Sequence, residues 1–336
     1  MNDRNAINKK KINYSIQLLR LLLSFWVVIQ HCYKKSNKNL KGLFHVPTFM
    51  IMSFFYYYNI LQKRDIIKIE QRLQRISIPY ILWPIFLFIS NNILFILFGF
   101  SQYNKKLILK DLVLQLIFGF NYHYIFYFQF ILMLLTILFT IISIIFKGSY
   151  IFIFQLFLIL AYILQYSYWS LYFLKSYPDA INVSLGSIFE LLPFAVSGVT
   201  LSHFDLVTML KKFKGLTIFF SGVIIYLILK FNIFTRIEGF LFPGVMLNIG
   251  GICIFIIFSL FSFKNKNLLE ILKIITKYTG GIYYIHMISY SFLKKIFFFV
   301  EAKTFLGVIV IYIISYIICF LGNKLSYQTK FKFLFN

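Results

Sequence analysis

Long apolar runs, broken by short basic or aromatic stretches, set the pattern of this chain. The first, "INYSIQLLRLLLSFWVVIQHC", is followed by nine more of comparable length. They cover roughly 13–33, 44–62, 75–99, 122–146, 150–168, 184–203, 215–232, 239–263, 276–297 and 305–323, each near the ~20 apolar residues that a crossing helix needs. The segment "LILKDLVLQLIFGF" (107–120) is too short to cross easily and reads as an amphipathic or re-entrant piece. Lipid offers no hydrogen-bond partners to a backbone, so runs of this length are read as helices. The expected fold is all-α: a polytopic membrane helix bundle with about ten transmembrane helices. It is expected to form a single membrane-embedded domain over residues 1–336, with no internal repeat and no separate soluble domain. The basic "RNAINKKK" before the first run resembles a signal peptide's start, but Arg20 interrupts the run and no A-x-A-like site follows. The run is therefore read as a retained first span.

Composition agrees with that reading. Hydrophobic residues make up 60% of the chain and charged residues 13%, with mean hydropathy +0.81, whereas soluble domains are about a quarter charged. A net charge of +24 on a soluble protein would point to nucleic acid. Here the lysines fall in short loops between apolar runs, so no nucleic-acid partner is expected, and the bilayer takes that place. The side shared by the two termini carries 20 Lys and Arg against 13 on the other, with Arg20 within a span. That bias puts both termini in the cytoplasm, although "YKKSNKNLK" then faces outward. Cys32, Cys253 and Cys319 lie far apart, without CxxC or Cys/His spacing, and indicate neither a disulfide framework nor zinc.

Ionisable groups within spans are costly, so they mark candidate chemistry. Arg20 and His31 are eleven positions apart, which returns to nearly the same helix face at a rise of about 16 Å. Taken alone, the pair also fits a snorkelling arginine and an interfacial histidine. In "IEQRLQRISIPY", Arg72 and Arg75 are three apart and are expected to share one helix face. Two guanidiniums so spaced suit phosphate, but by spacing alone the preferred reading is an ordinary basic cluster with Lys63, Arg64 and Lys68. His45 and His123 open spans and read as interfacial residues, whereas His286 lies deeper in "GIYYIHM". Glu190, within "SIFELLPFAVSG", would pair with Arg20 or a histidine, or merely sit near a span end.

In order along the chain, these pieces resemble the acyltransferase-3 family of integral membrane acyltransferases. "LLRLLLSFWVVIQH" resembles the family's first-span R-x10-H pattern at Arg20 and His31, and "QRLQRISIPY" its R-x-x-R motif with trailing Pro79 and Tyr80. "HVPTFMIMS" is similar to a second-span pattern ending in Ser-Gly, with Phe54 standing where the glycine follows Ser53. "NYHYIFYFQFIL", "ELLPFAVSG" and "GIYYIHM" resemble later segments, so the likeness spans the chain.

The resemblance implies transfer of an acyl group, usually acetyl from acetyl-CoA, to a hydroxyl of a cell-surface or lipid-linked polysaccharide at the bacterial cytoplasmic (inner) membrane. Arg72 and Arg75 would then hold the phosphate-rich donor. His31 would act as general base on the hydroxyl or as acyl carrier. Arg20 would orient the donor or stabilise oxyanion charge. Ser53, Glu190, Tyr283 and His286 are further candidates for lining the site, and no metal is expected. Separate glycan-assembly proteins are candidate partners. The rival reading is a glycan-intermediate transporter or flippase, which would usually show repeats and interrupted helices, and the sequence shows no such pairing. A third is a structural partner of a polysaccharide synthase, in which Arg20 and His31 would carry no function.

Overall fold

The computed structural model describes residues 14–32, 44–98, 106–119, 126–166, 179–230, 244–261, 266–296 and 305–326. The helices among them are α1 (Tyr14–Cys32), α2 (His45–Lys63), α3 (Ile66–Phe98), α4 (Leu109–Phe118), α5 (Phe126–Ile145), α6 (Tyr150–Tyr166) and α7 (Asp179–His203). They continue with α8 (Leu206–Lys211), α9 (Lys214–Lys230), α10 (Gly244–Leu260), α11 (Lys266–Ile275), α12 (Thr279–Ile296) and α13 (Phe305–Leu325), and a short 3₁₀ turn, Thr276–Tyr278, joins α11 to α12. The fold is an all-helical membrane bundle, and no strand occurs among the described residues.

Within the described residues, each of the ten sequence-read candidates overlaps a helix, and the segment 107–120 contains the short α4. Among the described residues, four helices are long and apolar enough to cross a membrane: Tyr14–Cys32, Ile66–Leu97, Phe126–Ile145 and Phe305–Leu325. Other helices carry more polar residues or are shorter. In α2 the buried His45 and Thr48 lie inside the protein, where neighbouring helices rather than lipid cover them. A helix shielded in this way has no need of a uniformly apolar surface.

α2 sits at the centre. Glycines on two neighbours let their backbones close on it. A Cβ at Gly198 of α7 would fall on the Ile51 carbonyl and lie 3.0 Å from Phe55 N. On α10, a Cβ at Gly250 would overlap the Phe44 ring, and one at Gly251 would lie 3.0 Å from Pro47 Cβ. Phe54, which replaces the expected glycine on α2, is fully buried and packs 4.8 Å from the Phe139 ring of α5. The small residues that permit close approach thus stand on the partner helices, as in other membrane helix pairs.

Contacts at both ends fix helix directions. Tyr58 bonds His203 Nδ1 at 2.7 Å and Phe55 packs 4.9 Å from Phe255, so α2, α7 and α10 run the same way. Ser15 of α1 donates to the Phe261 carbonyl just past α10 at 2.7 Å, so α1 runs opposite to them. α12 lies alongside α1 and runs with it. These are the directions that successive crossings from α1 onward require.

The buried apolar residues form two clusters. The larger joins α2, α5, α6, α7 and α10, and the smaller joins the later halves of α1 and α3 to α12 and α13. α1 contributes Leu19 and Leu23 to the first and Val28, Ile29 and Cys32 to the second, so it stands between them. At the turn into α3, Arg64 adopts a left-handed conformation (φ 48°) and Asp65 accepts the Lys68 N–H at 3.1 Å. The Asp65 carboxyl also meets the Lys68 ammonium, and these bonds hold it below the usual carboxylate range.

Gly198→Ala is expected to lower stability by about 1–3 kcal/mol, because backbone rather than a mobile side chain occupies the space. Gly222→Ala, whose Cβ would meet nothing within 4 Å, serves as the neutral control. Thermal unfolding of both in detergent checks this; equal melting temperatures would remove the close-approach account of α2.

Candidate active site

The seam between α1 and α12 carries the first group of polar residues. Arg20 is half-buried and donates from Nη2 to Thr279 Oγ1 and from Nη1 to Gln17 Oε1, both at 3.3 Å. Thr279 passes its own hydroxyl proton to the Thr276 carbonyl at 3.1 Å, which leaves its oxygen lone pairs turned to the guanidinium. One turn along α1, Ser24 meets the Tyr312 hydroxyl at 2.9 Å and ties the helix to α13.

Further along the same seam, the His31 ring stacks on His286, with centroids 5.4 Å apart and planes 26° apart. His31 is half-buried and His286 is fully buried, at 0% exposure. His286 Nδ1 lies 3.0 Å from the Ile282 carbonyl, one helical turn back. A carbonyl only accepts, so the ring proton belongs on Nδ1 and the Nε2 lone pair is left exposed to the interior. Nε2 has no hydrogen-bond partner among the described residues. Tyr283 flanks His286 at 6.4 Å and packs 6.0 Å from Phe128 of α5. Tyr284 is held between Trp83 and Phe126 at 6.0 and 5.9 Å. This aromatic collar fixes α12 against α3 and α5 and sets the direction of His286.

A second group lies where α2, α3 and α5 meet. Arg72 donates from Nη2 to Ser53 Oγ at 2.8 Å, from Nη1 to the Ser53 carbonyl at 3.4 Å and from Nε to Thr136 Oγ1 at 3.4 Å. Its guanidinium also lies 4.3 Å from the Tyr57 ring and 5.3 Å from Phe54, at cation–π distance. Tyr57 in turn meets Thr140 Oγ1 at 2.5 Å. Arg75, by contrast, is exposed. Three residues along a helix leaves a turn of about 60° between them, enough to aim one inward and the other out. The trailing Tyr80 donates to the Leu116 carbonyl at 2.7 Å and approaches the Gln115 carbonyl at 3.1 Å. It thereby satisfies the C-terminal carbonyls of α4 and fastens that short helix to α3.

The structure therefore brings Arg20, His31, Tyr283 and His286 together along one seam and gathers Arg72 with Ser53 in another. Ser53 anchors Arg72 rather than facing the histidines. Glu190 is buried in α7, at 7% exposure. Among the described residues the only ion pair is Lys68–Asp65, so Glu190 is paired with neither Arg20 nor a histidine. His123 lies outside the described residues. His45, read from sequence as interfacial, is instead buried at 5% exposure, with Nδ1 unpartnered. No group of three His, Cys, Asp or Glu able to hold a metal occurs among the described residues, and Cys32, Cys253 and Cys319 are free and buried.

The sequence model of one protein family, described as an acyltransferase domain, matches residues 13–324. The chain belongs to the acyltransferase-3 family. No curated protein and no solved structure matches it. The match runs from the first turn of α1 to the last turn of α13, so both polar seams lie within this acyltransferase domain. The protein is accordingly a membrane acyltransferase.

The two arginines of the acyltransferase's R-x-x-R motif are expected to behave differently. Arg72→Ala removes a charged donor from Ser53, at a cost of about 1.5–3 kcal/mol, and lowers the melting temperature. Arg75→Ala leaves the melting temperature unchanged and raises the KM for the acyl donor. Thermal unfolding with donor titration checks both; a stable Arg72→Ala would remove its anchoring role.

Proposed function

We propose that this acyltransferase moves an acetyl group from acetyl-CoA to a hydroxyl of a cell-surface or lipid-linked polysaccharide, from the bacterial cytoplasmic membrane with both termini in the cytoplasm. The observation that carries the reading is the stacked His31–His286 pair on the seam that also holds Arg20. A sugar hydroxyl is a poor nucleophile until its proton is taken, and an imidazole whose ordinary pKa is about 6.5 suits that task.

In this reading His31 takes the hydroxyl proton as the oxygen attacks the thioester carbonyl. A C–O bond forms, the C–S bond breaks, and the leaving thiolate recovers the proton from the imidazolium. If His31 instead carries the acyl group, the same bonds change in two steps through an acyl-imidazole. Arg20 is about 16 Å of helix rise from His31, too far to serve the same carbonyl directly. Its favoured role is to orient the elongated donor between its phosphates and its thioester. Arg75 is the exposed cation for those phosphates, and Arg72 keeps two N–H groups beyond the three used on Ser53 and Thr136.

Incubating the purified protein with [14C]acetyl-CoA and surface polysaccharide tests the reading directly. Label is expected in the polysaccharide, and His31→Ala is expected to lose about 10²–10⁴-fold in rate. A flippase transfers no label at all. Full transfer by a folded His31→Ala variant would remove His31 from the chemistry.

A further inference from the structure

The ring of His286 stacks on His31, with centroids 5.4 Å apart and planes 26° apart. From His286 an unbroken row of ring contacts runs across the bundle. Tyr283 lies 6.4 Å from His286, Tyr284 stands edge-on to Tyr283 at 5.4 Å, and Trp83 and Phe126 stack on Tyr284 at 6.0 and 5.9 Å. The row joins α12 to α3 and α5, so the ring that meets His31 is steadied by three helices. The contact from Nδ1 to the Ile282 carbonyl at 3.0 Å fixes its remaining rotation.

The same surroundings keep the His286 ring neutral. One proton is held on Nδ1 by a carbonyl that only accepts. A second proton, on Nε2, would place a charge at a residue of 0% exposure, on a nitrogen with no hydrogen-bond partner among the described residues. A neutral aromatic ring offers a negative π face, and a cation within about 6 Å of the ring centroid is attracted to it. His31 becomes such a cation when it takes the hydroxyl proton. It does so equally when it carries the acyl group on one nitrogen and a proton on the other.

We propose that His286 is a positioning residue for His31: its neutral ring holds the His31 imidazole in place and stabilises the positive charge that His31 acquires during acyl transfer. Histidine suits this task because its Nδ1–H clamps the ring to its own helix while the ring stays uncharged. A phenylalanine would present the π face without the clamp. His286 acts through His31 and not on the donor or the acceptor. This rests on the acyl-transfer reading above and adds no bond change to the step: the proton that arrives on His31 still leaves for the thiolate.

Fluorinated phenylalanines at position 286 test it, because each fluorine drains the π face while ring size changes little. With [14C]acetyl-CoA and surface polysaccharide, kcat is expected to fall stepwise from His286→Phe through its 4-fluoro to its 3,4,5-trifluoro form, by about fivefold over the series. His286→Leu, which fills similar space without a π face, is expected at or below the trifluoro variant. KM for acetyl-CoA and the melting temperature stay level across the fluorinated series, and in the His31→Ala background kcat stays level as well. Should His286→Phe fail to fold, thienylalanine and thiazolylalanine at position 286 replace the series. Both rings match imidazole in size, and the electron-richer thienyl variant is expected to be faster by about threefold. The proposal is overturned if kcat is level across the series used, if His286→Leu matches His286→Phe, or if the fall persists without His31. A wild-type protein that labels no polysaccharide, or a fully active His31→Ala, would remove the acyl-transfer role of His31 and this proposal with it. An active wild type that needs His31 but ignores the electron density of the ring at position 286 would remove this proposal alone.

Discussion

Close approach of backbones around α2 is the constraint on which the rest of the bundle depends. Lipid tails are as apolar as leucine side chains, so helices in a membrane gain little by hiding apolar surface from lipid and must gain by contact. Gly198, Gly250 and Gly251 supply that contact by removing side chains where α7 and α10 meet α2. With α2 held on two sides, its remaining faces are aimed. One presents Ser53 and Tyr57 to Arg72.

Much of the fold was legible in the apolar runs. Hydropathy is a property of a whole helix surface, and lipid-facing helices such as α5 and α13 wear it on most sides. Helix α2 was legible as a helix, but its depth in the bundle was not, since burial by neighbours depends on partners remote in sequence. His45 shows the cost of this. A histidine at the start of an apolar run looks interfacial until Gly250 and Gly251 of α10 are seen to close on that end of α2.

The candidate site was legible where one helix carried the information. Arg20 and His31 lie on one seam as their spacing implies, because helix geometry is local. Arg72 and Arg75 diverge because a 60° difference in direction is decided by what stands opposite, here Ser53 and Thr136. The stacking of His286 on His31 joins positions 255 residues apart and had no local signal beyond the depth of His286 in its run. Phe54 is the converse case. Where the family pattern has glycine, the Phe54 ring fills the space beside Phe139 and lies under the guanidinium of Arg72.

Arg20 and Arg72 share a feature of electrical consequence. Both are held by hydroxyl, amide, carbonyl and aromatic groups, and neither meets a carboxylate among the described residues. Their hydrogen bonds are partly satisfied, but their charge is not cancelled. Among the described residues the two seams therefore carry positive potential at two depths, which disfavours a cation in either one. An anion that reaches them meets no carboxylate among the described residues that it must displace. Such a ligand stabilises the folded state by mass action, so the protein is most robust when it is occupied.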